Sequence, residues 1–145
     1  MTLEVHLNYE QLVRERLEDT EGWIDFPSGM KQYFLWNNDD TGGSIAILDF
    51  PKGSGVPVKH SHASNQFMLC IEGEYAYTAS NIILTPGSFY MNPKDHPHGP
   101  TEALQRSILI EIYDGPHYYK QPSFHTDESY SKALPGDQDG TGSVE

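Results

Sequence analysis

The stretch Gly55-Val-Pro-Val-Lys-His60-Ser-His62-Ala-Ser-Asn-Gln66-Phe-Met-Leu-Cys-Ile-Glu-Gly73 decides the fold. Its two histidines are two residues apart, and residues at that spacing project from the same face of an extended chain. His60 and His62 can therefore reach one point on the inner wall of a barrel. Gln66 has the same parity as His62, so in a continuous strand its side chain would point to that face as well.

A second histidine pair follows later in the chain, where His96-Pro97-His98 repeats the spacing. Two segments that present histidines to one place can build a three-nitrogen site, and imidazole suits zinc, copper, iron and nickel. A fourth protein ligand, or open positions for water and substrate, would complete the coordination sphere. The isolated histidines have no such partner in the sequence, so we interpret His6, His117 and His125 as structural residues.

The rest of the chain predicts an all-β fold with a short N-terminal helix. Residues 9–20 have helix formers with apolar residues at helical spacing. Many short strands separated by Gly, Pro, Asn and Asp are typical of a β-sandwich or barrel. The predicted strands cover residues 31–37, 44–50, 66–72, 74–79, 81–84, 88–92 and 106–113. We divide the chain into an N-terminal helix and arm (1–30), a barrel (31–120) and a partly mobile C-terminal extension (121–145).

Composition limits the partners of the protein. The chain has 145 residues, which fits one domain, and acidic residues outnumber Lys and Arg by 21 to 9. Phosphate backbones require clustered Lys and Arg, so nucleic acid and anionic membranes are poor partners. The single cysteine, Cys70, allows no internal disulfide. The first 13 residues lack the pattern of a signal peptide and no stretch is apolar enough for a membrane span, so we expect a cytoplasmic protein.

The quoted stretch closely resembles the first motif of the cupin superfamily, and Pro86-Gly87 with Pro93-Lys-Asp-His-Pro-His98-Gly99 resembles the second motif. The resemblance covers roughly residues 44–113. It implies a cupin fold, that is, a double-stranded β-helix or jelly-roll β-sandwich barrel. It also implies that His60, His62 and His98 bind one divalent metal ion, for which we expect zinc, with iron or nickel as alternatives. The glycine after His98 identifies it, rather than His96, as the motif ligand.

Gln66 departs from the motif, because most cupins have glutamate at that position. A neutral amide would leave the ion its full charge, which strengthens it as a Lewis acid and lowers the pKa of bound water. Gln66 either binds the metal through its oxygen or donates a hydrogen bond to metal-bound water. We therefore list Gln66 as a candidate ligand and, with His96, as a candidate catalytic residue.

The aromatic residues suggest an apolar pocket. On the strand predicted over residues 106–113, three isoleucines share one face, and Glu111 lies on the other face with Leu109 and Tyr113. We expect the pocket to contain few polar groups beyond the histidines and Gln66, which is more apolar than a sugar site. The candidate interior side chains are Tyr33, Trp36, Met68, Tyr75, Tyr77, Phe89 and Met91, together with the isoleucine face Ile108, Ile110 and Ile112.

Four functions are compatible with such a site. The first is an aromatic polyketide cyclase, which the chain resembles, closing a ring of an apolar or aromatic ketone by an aldol reaction. The second is a three-histidine ferrous dioxygenase of the acetylacetone-cleaving kind. The third is a sugar-uronate isomerase or lyase, and the fourth is a zinc-binding sensor similar to the cupin domain of anti-sigma factors. The resemblance also implies a homodimer.

Overall fold

The computed structural model describes residues 6–119. One helix precedes nine strands, and most of the predicted strands are present. The helix is α1 (Tyr9–Leu17), and the strands are β1 (Trp23–Asp25), β2 (Lys31–Asn37), β3 (Ser44–Phe50), β4 (Gln66–Glu72), β5 (Tyr75–Tyr77), β6 (Ile82–Leu84), β7 (Phe89–Asn92), β8 (Thr101–Ala103) and β9 (Ser107–Tyr113).

The strands form two antiparallel sheets. The larger sheet has the order β1-β2-β3-β9-β4-β7, and the smaller one has the order β6-β5-β8. Strand β9, the last within residues 6–119, lies between β3 and β4, so it runs through the middle of the larger sheet. The predicted all-β class is confirmed.

The main hydrophobic core lies between the sheets. Phe50, Met68 and Leu109 of the larger sheet pack there with Tyr75 and Tyr77 of the smaller sheet. Alternate residues of a strand point to opposite faces, so each central strand of the larger sheet also has an outer face. A second apolar cluster covers that outer face, and its buried members are Val13, Ile47, Ile108 and Ile110.

Helix α1 is shorter than predicted. Its N-terminus is capped by Asn8, whose side chain accepts a hydrogen bond from the backbone N–H of Glu10. It ends at Leu17 rather than near residue 20. The indole N–H of Trp23 donates to the backbone carbonyl of Arg16 at 3.0 Å. The same carbonyl also accepts the backbone N–H of Asp19 at 3.1 Å, and the bond from Trp23 ties the helix to the start of β1.

Two short strands, β1 and β8, were not predicted. Strand β1 pairs with β2, so the larger sheet begins before residue 31, within the segment predicted as the N-terminal arm. Strand β8 pairs with β5. The predicted extension 121–145 and His125 lie outside the described residues. No helix in residues 6–119 is long and apolar enough to span a membrane.

Candidate metal centre

Three histidines from two separate segments meet inside the barrel. His60, His62 and His98 are buried, and one ring nitrogen from each lies within 4.8 Å of the others. The Nε2 atoms of His62 and His98 are 2.9 Å apart. The structure thus brings together the three histidines that the sequence motifs select.

The backbone fixes two of these residues opposite each other. His60 and His98 form an isolated antiparallel bridge in which each N–H donates to the carbonyl of the other at 2.8 Å. Gly99 follows with a positive φ of 86°. A Cβ at that position would lie 3.0 Å from the carbonyl oxygen of Val58 and 3.3 Å from the ring of His60. The motif glycine therefore lets the second segment approach the first closely enough for their histidines to meet.

Each imidazole is also oriented through its Nδ1 atom. Nδ1 of His60 lies 2.9 Å from the carbonyl oxygen of Val58, and Nδ1 of His62 lies 3.0 Å from that of His117. A carbonyl can only accept, so both rings donate from Nδ1, and a neutral ring that does so has its lone pair on Nε2. Nδ1 of His98 lies 3.0 Å from the hydroxyl of Tyr90. Such outer contacts are typical of metal-binding histidines.

Burial keeps the histidines neutral. Loss of hydration lowers the pKa of His60, and it lowers the pKa of His62 well below its ordinary value. Burial, together with positive charge on His60 and His96, lowers the pKa of His98 to about 3. A neutral imidazole is the form that binds a metal ion, so the three rings are in the binding form at neutral pH.

The donor set fits a divalent transition metal. Two nitrogens bound at about 2.0–2.1 Å lie about 2.9–3.4 Å apart for angles between octahedral and tetrahedral. The 2.9 Å between the Nε2 atoms of His62 and His98 falls in this range. Three neutral imidazoles suit zinc, iron or nickel, so the group could hold one such ion.

Next to the histidines lies a buried polar network. The Gln66 side-chain N–H donates to Oε2 of Glu111 at 2.8 Å and to the hydroxyl of Tyr113 at 3.0 Å. That hydroxyl lies 3.2 Å from Glu111 Oε2 and 3.2 Å from Nδ1 of His62. Among the described residues, Oε1 of Gln66 is buried without a hydrogen-bond partner. A metal ion or its bound water would satisfy such an oxygen, which adds to the fit of the site.

Glu111 is the acidic group of this network. Burial raises its pKa from 4.5 to about 7, while the hydrogen bonds from Gln66 and Tyr113 act in the opposite direction. A carboxyl with a pKa near neutrality can hold or release a proton at physiological pH. Glu111 was not among the predicted site residues, although a lone charge within a strand of isoleucine and leucine is a signal of a buried functional carboxyl.

The pocket is more polar than predicted. It is enclosed by both sheets and holds about 440 Å³ of space including its mouth, of which the centre of a water molecule can occupy about 40 Å³. Its polar lining, apart from the histidines, includes Gln32, Gln66, Tyr75, Thr101, Glu111 and Tyr113. The lining is still mostly apolar, as predicted, and Glu111 is among its unexpected polar groups because the face of β9 that enters the pocket is the one that carries it.

Several predicted interior residues lie elsewhere. Met68, Tyr75 and Tyr77 do line the cavity, but Tyr33 packs on the outer face of the larger sheet. Trp36 is largely exposed. Phe89 and Met91 are exposed too, because β7 pairs with β4 in a register that places them beside Leu69 and Phe67. The isoleucine face of β9 packs toward α1 rather than into the pocket.

His96 lies outside the three-histidine group. Its side chain is exposed, and its Nδ1 lies 2.9 Å from Oδ1 of Asn92, whose amide N–H donates to the backbone carbonyl of His96. The structure thus gives His96 a role in shaping the turn before His98 and does not place it as a ligand. His117 is buried, with Nε2 2.7 Å from the Ser44 hydroxyl, which agrees with a structural role.

Comparison with known families identifies the fold. The family model described as the ChrR Cupin-like domain matches residues 15–117. The chain belongs to the ChrR cupin-like family. The predicted cupin fold is thereby confirmed. No curated protein matches the chain.

Solved structures of other cupins share the architecture of this ChrR-like cupin. An acetylacetone dioxygenase from Acinetobacter johnsonii superposes with a TM-score of 0.62 at 17% identity, over 88% of this chain and 85% of that one. KdgF from a Halomonas species superposes with a TM-score of 0.58 at 20% identity, over 69% of this chain and 93% of that one. An RmlC-like cupin from Shewanella frigidimarina superposes with a TM-score of 0.56 at 24% identity, over 64% of this chain and 82% of that one. At these identities the likeness shows the fold alone.

Proposed function

We propose that this protein is a metal-dependent enzyme that cleaves a small enolisable carbonyl compound, a 1,3-dicarbonyl or a hydroxy-ketone, with dioxygen. The observation that carries the proposal is the placement of Glu111 in the same small cavity as the three histidines, where the Tyr113 hydroxyl links it to His62. Imidazoles alone leave a divalent ion its full charge, and a carboxylate next to that charge is suited to take a proton from an enolisable carbon.

The size and polarity of the cavity favour a small substrate. A water molecule needs about 10–15 Å³ of such centre-accessible volume, so the roughly 40 Å³ here corresponds to a few waters. A polyketide with several rings would not fit that space without rearrangement of the walls. The aromatic polyketide cyclase, which we preferred from the sequence, was favoured by the neutral Gln66 and an aromatic-rich interior, and the additional polar groups of Gln32 and Glu111 in the lining weaken that support.

Glu111 is the group to which we assign the proton. Both of its donors, the amide of Gln66 and the hydroxyl of Tyr113, bind the same oxygen, Oε2. Its other oxygen, Oε1, receives neither of these bonds and is the atom that accepts the proton from the carbon between the two carbonyl groups. The bonds to Oε2 hold the carboxylate in place during this transfer.

The three histidines would hold the ion that completes the site. When bound, the ion would supply positive charge that stabilises an enolate and, as ferrous iron, would let electrons pass from that enolate to dioxygen, so that the substrate is oxidised and both oxygen atoms end in the cleavage products. Tyr113 lies between Glu111 and the ring of His62, so it couples the orientation of the base to that of a ligand. Burial of the whole group excludes bulk water from the reacting atoms.

Oxygen consumption tests the proposal. The protein is loaded anaerobically with ferrous iron or with zinc and then mixed with pentane-2,4-dione and related diketones in aerated buffer. We expect oxygen uptake and loss of the diketone absorbance with iron only, and none in His98→Ala. Turnover of a diketone by the zinc-loaded protein without oxygen uptake would contradict the oxidative reaction and favour a redox-neutral one. Absence of turnover with both metals would contradict the proposed cleavage.

A metal-binding sensor is the second candidate. The small free volume beside the histidines favours it, because a site that only holds an ion needs no room for a substrate. The two candidates differ in one respect that the same experiment measures. A sensor binds the metal tightly and shows no turnover, whereas the enzyme consumes oxygen in proportion to the substrate added.

A further inference from the structure

The cavity contains a second feature that the three-histidine group does not explain. Two buried side-chain polar atoms have no hydrogen-bond partner among residues 6–119, and these are Oε1 of Gln32 and Oε1 of Gln66. The two residues are only 2% and 3% exposed, and both line the same cavity. An unsatisfied buried acceptor is costly, and one in a folded protein calls for an explanation.

We propose that the substrate carries a hydroxyl group apart from its metal-chelating oxygens, and that Oε1 of Gln32 accepts the hydrogen bond from it. This inference deepens the proposed function, since it rests on the chelating part of that proposal and names the substrate class as a hydroxylated dicarbonyl or hydroxy-ketone.

The position of Gln32 separates it from the metal group. Gln32 of β2 lies opposite Leu48 of β3. Leu48 in turn lies opposite Leu109 of β9, which is one inward position before Glu111. Strand β3 therefore separates Gln32 from β9. Gln32 lies level with Leu109, one inward-facing position before Glu111. A ligand bound at the histidines would reach Gln32 with its far end.

The two orphan oxygens have different surroundings. Gln66 lies close to His62, because the Tyr113 hydroxyl contacts both side chains. An ion bound at the histidines, or its water, can therefore supply the partner of Gln66 Oε1. Gln32 lies on the part of the wall where Met30, Leu48 and Phe50 also line the cavity, and these side chains offer no donor. A ligand that displaces water from this part of the cavity must therefore supply the partner of Gln32 itself.

The nearby hydroxyl groups are already engaged. The Thr101 hydroxyl accepts from the Val56 N–H at 2.8 Å and lies 2.6 Å from the Tyr75 hydroxyl. The Tyr77 hydroxyl donates to the sulfur of Met68 at 3.2 Å. A neutral hydroxyl on the ligand suits this wall better than an ammonium group, because an isolated charge beside apolar side chains would lose its hydration without a counter-ion.

A matched pair of chelators tests the inference without catalysis. Kojic acid and allomaltol bind a metal ion through the same hydroxy-ketone, and they differ only in a hydroxyl on the methyl group across the ring. Their affinities for the zinc-loaded full-length protein are measured by titration calorimetry. We expect kojic acid to bind about tenfold or more tightly, as expected for an acceptor that only one ligand satisfies.

Substitution of Gln32 supplies the second arm of the test. In Gln32→Leu and Gln32→Met the affinity for kojic acid should fall to within about twofold of that for allomaltol. The affinity for allomaltol itself should change little. Equal affinities in the wild-type protein, or an undiminished preference in both variants, would overturn the inference. If neither compound binds, both the proposal that the substrate chelates the metal ion and the inference about Gln32 are contradicted. If the preference holds but no oxygen is consumed with any diketone, only the proposed cleavage fails.

Discussion

In the proposed reaction, the protonation state of Glu111 sets how the rate depends on pH. Burial raises its pKa to about 7, and the charge of a bound ion would lower it from there. Because the carboxylate is the form that accepts a proton, we expect kcat/KM to rise with pH, with an inflection at or below about 7.

Glu111→Gln tests this role. The variant keeps the size of the side chain but cannot accept a proton, so we expect kcat/KM to fall by about 100-fold or more and the inflection to disappear, while metal content stays unchanged. The measurement is a pH–rate profile of both proteins. A variant with the wild-type profile would show that another group takes the proton.

Gln66→Glu changes the neighbour of that base. The amide N–H donates to Glu111 at 2.8 Å, whereas a second carboxyl at this position would share a proton with Glu111. Two adjacent carboxyls raise the pKa of one of them, so the inflection of the pH–rate profile should move upward, and rates at neutral pH should fall. An unmoved inflection would mean that Gln66 does not act on the reacting group.

At the scale of elements, the close approach of the two histidine segments depends on Gly99. An alanine there would have to adopt a positive φ and would crowd Val58 and the ring of His60. Gly53 provides a matched control, because its φ is 88° but a Cβ there would meet nothing within 4 Å. We expect both alanine variants to lose about 1–2 kcal/mol of stability and only Gly99→Ala to lose metal affinity.

Urea denaturation and metal titration measure the two effects separately. The pair distinguishes backbone strain, which both variants share, from displacement of a ligand, which only the variant at Gly99 suffers. If Gly99→Ala binds metal as tightly as Gly53→Ala, the close approach of the two segments is not needed to form the site.

The elements also show what the sequence could predict. The motifs were enough to identify His60, His62 and His98, since their spacing and glycines are local features of the chain. The position of β9 depends on pairing with strands far away in sequence. Its register places Glu111 beside Met68 and Tyr113 beside Gln66, so they share the inward face.

Alternation alone cannot tell which face of a strand is inward when both are apolar. On β9 the isoleucines and the Leu109 side are both buried, one under α1 and the other in the core. That is why the polar wall of the pocket was missed. The three-residue strands β1 and β8 were missed because so few residues show no periodicity.

At the scale of the molecule, the predicted homodimer remains a prediction. Strand β7 is an edge of the larger sheet, and next to it lies an apolar outer surface formed by Leu69, Phe89 and Met91, of which Phe89 is 63% exposed. A second copy related by a two-fold axis would cover this surface and the open edge.

Light scattering after size exclusion measures the oligomeric state. We expect a dimer for the wild-type protein and a monomer for Phe89→Glu. Trp36→Glu is the control, since Trp36 is also exposed but lies on β2, away from that edge. A monomeric wild type, or a dimer that survives Phe89→Glu, would rule out this surface as the interface.

The central claim is that the imidazoles of residues 60, 62 and 98 bind one divalent ion, and metal analysis by mass spectrometry tests it most directly. After loading and removal of excess metal, we expect one ion per chain in the wild-type protein and in His96→Ala. We expect almost none in His62→Ala and His98→Ala, provided that both variants remain folded by circular dichroism. One ion per chain in folded His62→Ala and His98→Ala would contradict the account.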